Sequence, residues 1–180
     1  TRYPILYITG GSTGAQSLNH LVFPIVGFLT KRYTVFHQTG RLSLEQAKAL
    51  RDSLPREKQS RYIVEAFFDL VPLSWILSQV SIVIGRSGAN TAIETAALGN
   101  VALFIPLPWS AGGEQEAQAH WLATAGSAIV LHQQGLTSGT LNSSIEDIMS
   151  HLPLYKKRAA PLAKTIPRDG AARLVDAIAQ

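Results

Sequence analysis

Cysteine is absent from this 180-residue chain, methionine occurs once, and charged residues make up only 16% of it. Without cysteine there is no disulfide framework, no thiolate zinc site, no iron–sulfur cluster and no cysteine nucleophile. That absence fits a reducing compartment. No apolar run reaches the roughly 18 residues of a membrane span. The five histidines, His20, His37, His120, His132 and His151, are scattered without ligand spacing, so no metal is expected. No Gly-Lys-Ser/Thr follows a glycine-rich loop, which excludes a P-loop.

What is present is apolar: 46% of residues are hydrophobic, enough to build one sizeable core. Disorder is excluded as a global description. A single unit over residues 1–180 is expected. The net charge of +4 is mildly basic; it suits a phosphate-bearing ligand as well as any polyanion, and no nucleic-acid partner is expected. Thr1-Arg2-Tyr3-Pro4 runs straight into a strand-like segment. The expectation is therefore no signal peptide and a piece cut from a longer chain.

Six short β-branched runs lie at residues 5–8, 33–37, 61–68, 80–84, 101–106 and 127–131. Helical periodicity follows at about 15–29, 44–54, 72–79, 89–98, 113–125 and 138–180, the last with breaks at Pro153, Pro161 and Pro167. Runs apolar on nearly every residue suit parallel strands covered on both faces. The spacing predicts an α/β fold: a doubly wound, Rossmann-like sheet of six parallel strands.

In such a sheet ligands sit beyond the carboxyl ends of the strands. The loops selected are residues 10–14, 37–40, 67–70, 85–90 and 106–118. Gly10-Gly11-Ser12-Thr13-Gly14 leads from strand to helix. Its glycines allow close backbone approach, and Ser12 and Thr13 can donate to phosphate. The same residues also suit a tight turn with a Ser or Thr cap. It is not a dinucleotide fingerprint, because Ser12 stands where Gly is needed and no acid ends the second strand.

Arg86-Ser87-Gly88-Ala89-Asn90-Thr91 forms a second corner, with Glu94 one turn further on. Glu94 could accept both hydroxyls of a ribose; alternatively Thr91-x-x-Glu94 is a capping box. Gly85-Arg86-Ser87-Gly88-Ala89 is one residue from a Gly-x-Ser-x-Gly nucleophile elbow, with Asp147 and His151 downstream in hydrolase order. Gln115 and Gln118, three apart, share a helix face and suit sugar hydroxyls, or simply a solvated helix start. Lys156-Lys157-Arg158 reads as a solvated helix face.

Taken in order, Gly-Gly-Ser-x-Gly-Ala-x-x-Leu-Asn at 10–19, His-Gln-Thr-Gly at 37–40, Arg-Ser-Gly-Ala-x-Thr-x-x-Glu at 86–94 and Gln-x-x-Gln at 115–118 carry a resemblance. The whole chain resembles the C-terminal lobe of the MurG-like UDP-N-acetylglucosamine transferases, which convert lipid I to lipid II. The resemblance implies a GT-B fold of two Rossmann-like lobes, this one being the nucleotide-sugar half and the N-terminal lobe being absent. UDP-GlcNAc would be bound by Gly11, Ser12, Thr13, Gly14, Phe68, Arg86, Ser87, Gly88, Ala89, Asn90, Thr91, Glu94, Gln115 and Gln118. Within that set, Ser12 would meet the diphosphate, residues 87–91 would wrap it, Glu94 would hold the ribose, Gln115 the GlcNAc, and backbone groups of the 67–70 loop the uracil. No cofactor, no metal and no catalytic residue would come from this lobe. The acceptor, a lipid-linked muramoyl-pentapeptide, would bind the other lobe on the cytoplasmic face of the bacterial plasma membrane. This lobe alone would bind donor without turnover. A split nucleotide-sugar-binding subunit and a related lipid galactosyltransferase are the alternatives. The chain departs from the family at Gln118, where Asn is usual, and at Glu114, where a second Gln is usual.

Overall fold

The computed structural model describes residues 3–11 and 15–167, together with Asp169, Val175 and Ile178. In chain order the elements are β1 (Ile5–Thr9), α1 (Gln16–Val22), a 3₁₀ turn at Phe23–Ile25, α2 (Val26–Arg32), β2 (Thr34–Gln38), α3 (Leu44–Ser53), α4 (Arg56–Gln59), β3 (Tyr62–Glu65) and α5 (Leu70–Gln79). They continue with β4 (Ile82–Gly85), α6 (Ala89–Ala97), β5 (Ala102–Phe104), α7 (Glu114–Thr124), β6 (Ala128–Val130), α8 (Ser138–Ser150) and α9 (Leu152–Ala163). The six strands form one parallel sheet in the order β3-β2-β1-β4-β5-β6. The order reverses between β1 and β4, so those two strands flank the crevice where an open α/β sheet takes its ligand.

Both faces of the sheet are covered, which is why the strands read as unbroken apolar runs. Alternation along β1 sends Leu6 and Ile8 to one face, packed with Leu18, Val22, Val26 and Ile145. Ile5 and Tyr7 go to the other, against Ile76, Leu77 and Val83. A third cluster joins Ala92 and Ala96 of α6 to Phe104, Ala119 and Leu122. Each fully buried Leu or Ile contributes about 1.5–3 kcal/mol.

The expected helix over 15–29 is divided in two. Pro24 has no amide hydrogen to extend α1, and the chain tightens into the 3₁₀ turn before α2 resumes. The short α4 was not expected. α5 starts two residues before Pro72, which occupies its first turn, where a missing N–H costs nothing. Pro153 does sit at a helix start, whereas Pro161 is carried within α9. The helix expected past 167 falls largely outside the described residues. Among the described residues no helix is long and apolar enough to cross a membrane.

Candidate functional site

Two hollows meet at the carboxyl edge of β1 and β4. One, of about 300 Å³, is lined by Gly10, Gly11, Arg86, Gly88, Ala89, Asn90, Thr91 and Gln115. The other, of about 230 Å³, is bordered by Tyr7, Thr9, Gly11, Gln38, Phe67, Phe68, Thr91, Glu94 and Thr95, among others. Gly11 and Thr91 belong to both, so the two form one crevice. Of the residues predicted to bind donor, Gly11, Phe68, Arg86, Gly88, Ala89, Asn90, Thr91, Glu94 and Gln115 come together here. Ser12, Thr13 and Gly14 lie outside the described residues.

The second corner owes its shape to where its side chains are committed. Gly85 ends β4 so close to β1 that a Cβ there would stand 2.1 Å from the Thr9 carbonyl oxygen. Arg86 is buried, and its guanidinium donates to the carbonyls of Ile105 (2.7 Å) and Pro106 (3.2 Å), to Ser17 Oγ (2.7 Å) and to Gln133 Oε1. It thus braces three strand ends while its edge lines the crevice; burial holds its pKa below the ordinary arginine value. Ser87 is fully buried, and its hydroxyl donates to the Gln115 carbonyl at 2.6 Å.

That placement overturns the nucleophile-elbow reading: the hydroxyl is inaccessible and spent on a carbonyl, while Asp147 and His151 lie 3.4 Å from each other at the C-terminal end of α8. The capping-box reading fails too. Gly88 is the N-cap of α6, so Thr91 lies inside the first turn, and no side chain caps this helix. Its first N–H groups face the crevice end without an internal partner, which is the arrangement that attracts anions.

Glu94 stands one turn along α6 at the rim of the smaller hollow. Partial desolvation holds its carboxyl above the ordinary carboxylate range. Burial, assisted by the nearby Glu94 charge, pushes the Tyr7 phenol up to about 12. Gln115 accepts from the Leu107 N–H at 3.0 Å, leaving its amide hydrogens as donors toward the crevice. Gln118 does not join it. Its amide donates to Glu114 at 3.0 Å, so the two positions that depart from the resemblance bond to each other, outside the residues lining the crevice. Glu116 lies 3.8 Å from His120 and 3.6 Å from His132, but no group of three potential ligands among the described residues could hold a metal ion.

Several lining residues lie outside the predicted set, among them the polar side chains Tyr7, Thr9 and Gln38. Tyr7 and Thr9 sit inside β1, where only the sheet's handedness tells which face leads to the ligand. Gln38 was in view within His-Gln-Thr-Gly, without a role. Its neighbour His37 points the other way, fully buried between the Tyr62 hydroxyl (2.9 Å) and Asn19 Oδ1 (3.0 Å). Burial lowers His37 to about 3, so it is neutral at pH 7.

Comparison with known proteins agrees with this fold. The chain is 33% identical over 172 residues to a UDP-N-acetylglucosamine–N-acetylmuramyl-(pentapeptide) pyrophosphoryl-undecaprenol N-acetylglucosamine transferase of Syntrophotalea carbinolica, covering 94% of this chain and 46% of that protein. It is 35% identical over 133 residues to the protein of the same description from Treponema denticola, covering 71% and 34%. The chain therefore spans less than half the length of these relatives. Among solved structures, Acinetobacter baumannii MurG superposes with a TM-score of 0.81 at 28% identity, over 99% of this chain and 50% of that one. The calicheamicin glycosyltransferase CalG4, at 16% identity and a TM-score of 0.74, shares the fold. The sheet order and the likeness to half of MurG lead to one placement. Residues 5–174 match the glycosyltransferase family 28 C-terminal domain, and the chain belongs to that family.

Proposed function

We propose that this chain is the UDP-GlcNAc-binding lobe of an inverting transferase that moves GlcNAc onto a lipid-linked muramoyl-pentapeptide. The observation that carries the reading is the continuous crevice between the β1 and β4 corners, with an uncapped helix start on one side and a carboxylate one turn along it. The Syntrophotalea carbinolica relative, an N-acetylglucosamine transferase named for an N-acetylmuramyl-(pentapeptide) pyrophosphoryl-undecaprenol acceptor, supports the choice of sugar and acceptor.

In this reading the diphosphate sits against the first N–H groups of α6, at residues 88–91. Glu94 accepts the ribose hydroxyls, the base lies beside Phe68, and Gln115 donates to the sugar. The acceptor hydroxyl attacks the anomeric carbon as the bond from that carbon to the diphosphate oxygen breaks. UDP leaves with the electron pair. The helix start and its amides stabilise the charge that develops on the leaving oxygen. The acceptor and the base that takes its proton belong to an N-terminal lobe, so this chain alone binds donor without turnover. The complete enzyme works at the cytoplasmic face of the membrane.

A thermal-shift comparison of UDP-GlcNAc, UDP-galactose, UDP and NAD tests this. UDP-GlcNAc and UDP are expected to raise the melting temperature, since a ligand at a hundred times its Kd adds about 2.7 kcal/mol. UDP-galactose should act more weakly than UDP-GlcNAc. Stabilisation by NAD and none by UDP would defeat the proposal.

A further inference from the structure

The His-Gln-Thr-Gly run takes no part in the ligand assignment above, yet Gln38 is bonded in a way a core residue does not require. The side chain is 8% exposed and ends β2, the strand that lies between β1 and β3. Its Oε1 accepts from the Tyr7 hydroxyl (3.3 Å) and from the Phe68 N–H (3.1 Å). Its Nε2 donates to Thr9 Oγ1 (3.2 Å) and to the Gly11 carbonyl (3.4 Å). One planar amide therefore joins the loop after β3 to the start of the loop after β1. Every group it holds borders the hollow of about 230 Å³.

The loop after β3 is otherwise largely exposed: Phe67 is 41% accessible, and Leu70, which opens α5, 79%. We propose that Gln38 is a positioning residue that sets the span between the base seat at Phe68 and the Gly11 side of the phosphate seat, which Gly11 lines together with the start of α6. This rests on the nucleotide-sugar reading and adds to it. An amide presents its acceptor and its donors at a fixed angle, so the span cannot change without breaking a buried hydrogen bond. A ligand that must occupy both seats gains from a matched span, because its second contact becomes intramolecular. A ligand that occupies one seat gains nothing. Gln38 thus touches the ligand's surroundings and governs how the two ends of UDP act together.

The test compares UDP, uridine and inorganic pyrophosphate on the 180-residue chain, by calorimetry or ligand-observed NMR, for wild type, Gln38→Leu and Gln38→Asn. Leu removes all four bonds; Asn keeps the amide and loses the reach. The expected result is UDP weakened about tenfold or more in both variants, the scale of one buried hydrogen bond. Uridine and pyrophosphate should each change by less than about threefold, since neither depends on the span. Equal weakening of all three ligands would mean general loosening of the site and would overturn the proposal, as would unchanged UDP affinity. If Gln38→Leu does not fold, Gln38→Asn carries the same comparison. Failure of the wild-type chain to bind UDP is a separate result and would overturn the nucleotide reading itself.

Discussion

Helices α6 and α8 begin in similar sequence and end up with opposite chemistry. α8 follows Thr137, whose hydroxyl accepts from the Thr140 N–H at 3.1 Å and closes the helix start from within. α6 follows Ser87 and Gly88, of which the serine alone carries a hydroxyl and the glycine holds the N-cap position. There the Ser87 hydroxyl turns to the Gln115 carbonyl and Gly88 has nothing to offer, so the first turn stays open. A closed start stabilises the fold and has no further use. An open start at a strand's carboxyl end costs some stability and leaves N–H donors for an anion. The difference separates residues that serve the fold from residues that serve a ligand.

The sharpest separation should come from two glycines three residues apart. Gly85→Ala is expected to lower the unfolding free energy by about 3 kcal/mol, because its methyl would collide with backbone at Thr9. Gly88→Ala has open space and an ordinary φ of −62°, so stability should stay within about 0.5 kcal/mol. Its methyl enters the crevice, and UDP should weaken about tenfold. Denaturant melts and UDP titrations on both variants check this. Equal behaviour would break the distinction.

Acid should act on the fold through His37. The unfolded histidine binds a proton near 6.5 and the folded one only near 3, so between those values the unfolded state holds the extra proton. Stability is therefore complete above about 6.5 and falls as pH drops, by about 2 kcal/mol from pH 7 to pH 5. Urea unfolding at the two pH values should show that slope in wild type and a flatter one in His37→Gln. No difference in slope would remove His37 as the cause.

Glu94→Ala is expected to weaken UDP by about 1–3 kcal/mol, the scale of a hydrogen bond to a charged group, with the melting temperature little changed. Since desolvation raises the Glu94 carboxyl, wild-type affinity should decline on acidification above the ordinary carboxylate range, and that part of the decline should vanish in Glu94→Gln. Unchanged UDP affinity in Glu94→Ala would remove the ribose assignment. The smallest effect belongs to α8. Thr137→Ala should cost about 1 kcal/mol of stability and leave UDP affinity untouched. A loss of UDP affinity there would show that helix starts far from the crevice matter to it.

Much of this molecule is legible in its amino-acid sequence. Apolar runs such as residues 80–84 and 101–106 announce strands buried on both sides, because parallel strands must be covered by their own crossover helices. The rule that ligands gather beyond strand ends then picks out Gly11, residues 88–91 and Glu94 without knowledge of the sheet order. Gln118 shows the limit of helical spacing. Three residues from Gln115 it shares a helix face, but Glu114, one turn earlier, takes its amide, and of the two glutamines Gln115 lines the crevice.

What the residues by themselves determined is local: periodicity, breaks at proline and glycine, and which loops carry donors and acids. Those follow from backbone sterics and side-chain chemistry within a few positions of each other. Tertiary structure alone decided that β4 lies beside β1, that Ser87 and Arg86 are spent as braces, and that Gln38 reaches Tyr7 and Phe68, some thirty positions away on either side. A hydroxyl or an amide has several possible partners, and which one it meets depends on strand order and on the face it occupies, neither of which is written in any short stretch of chain.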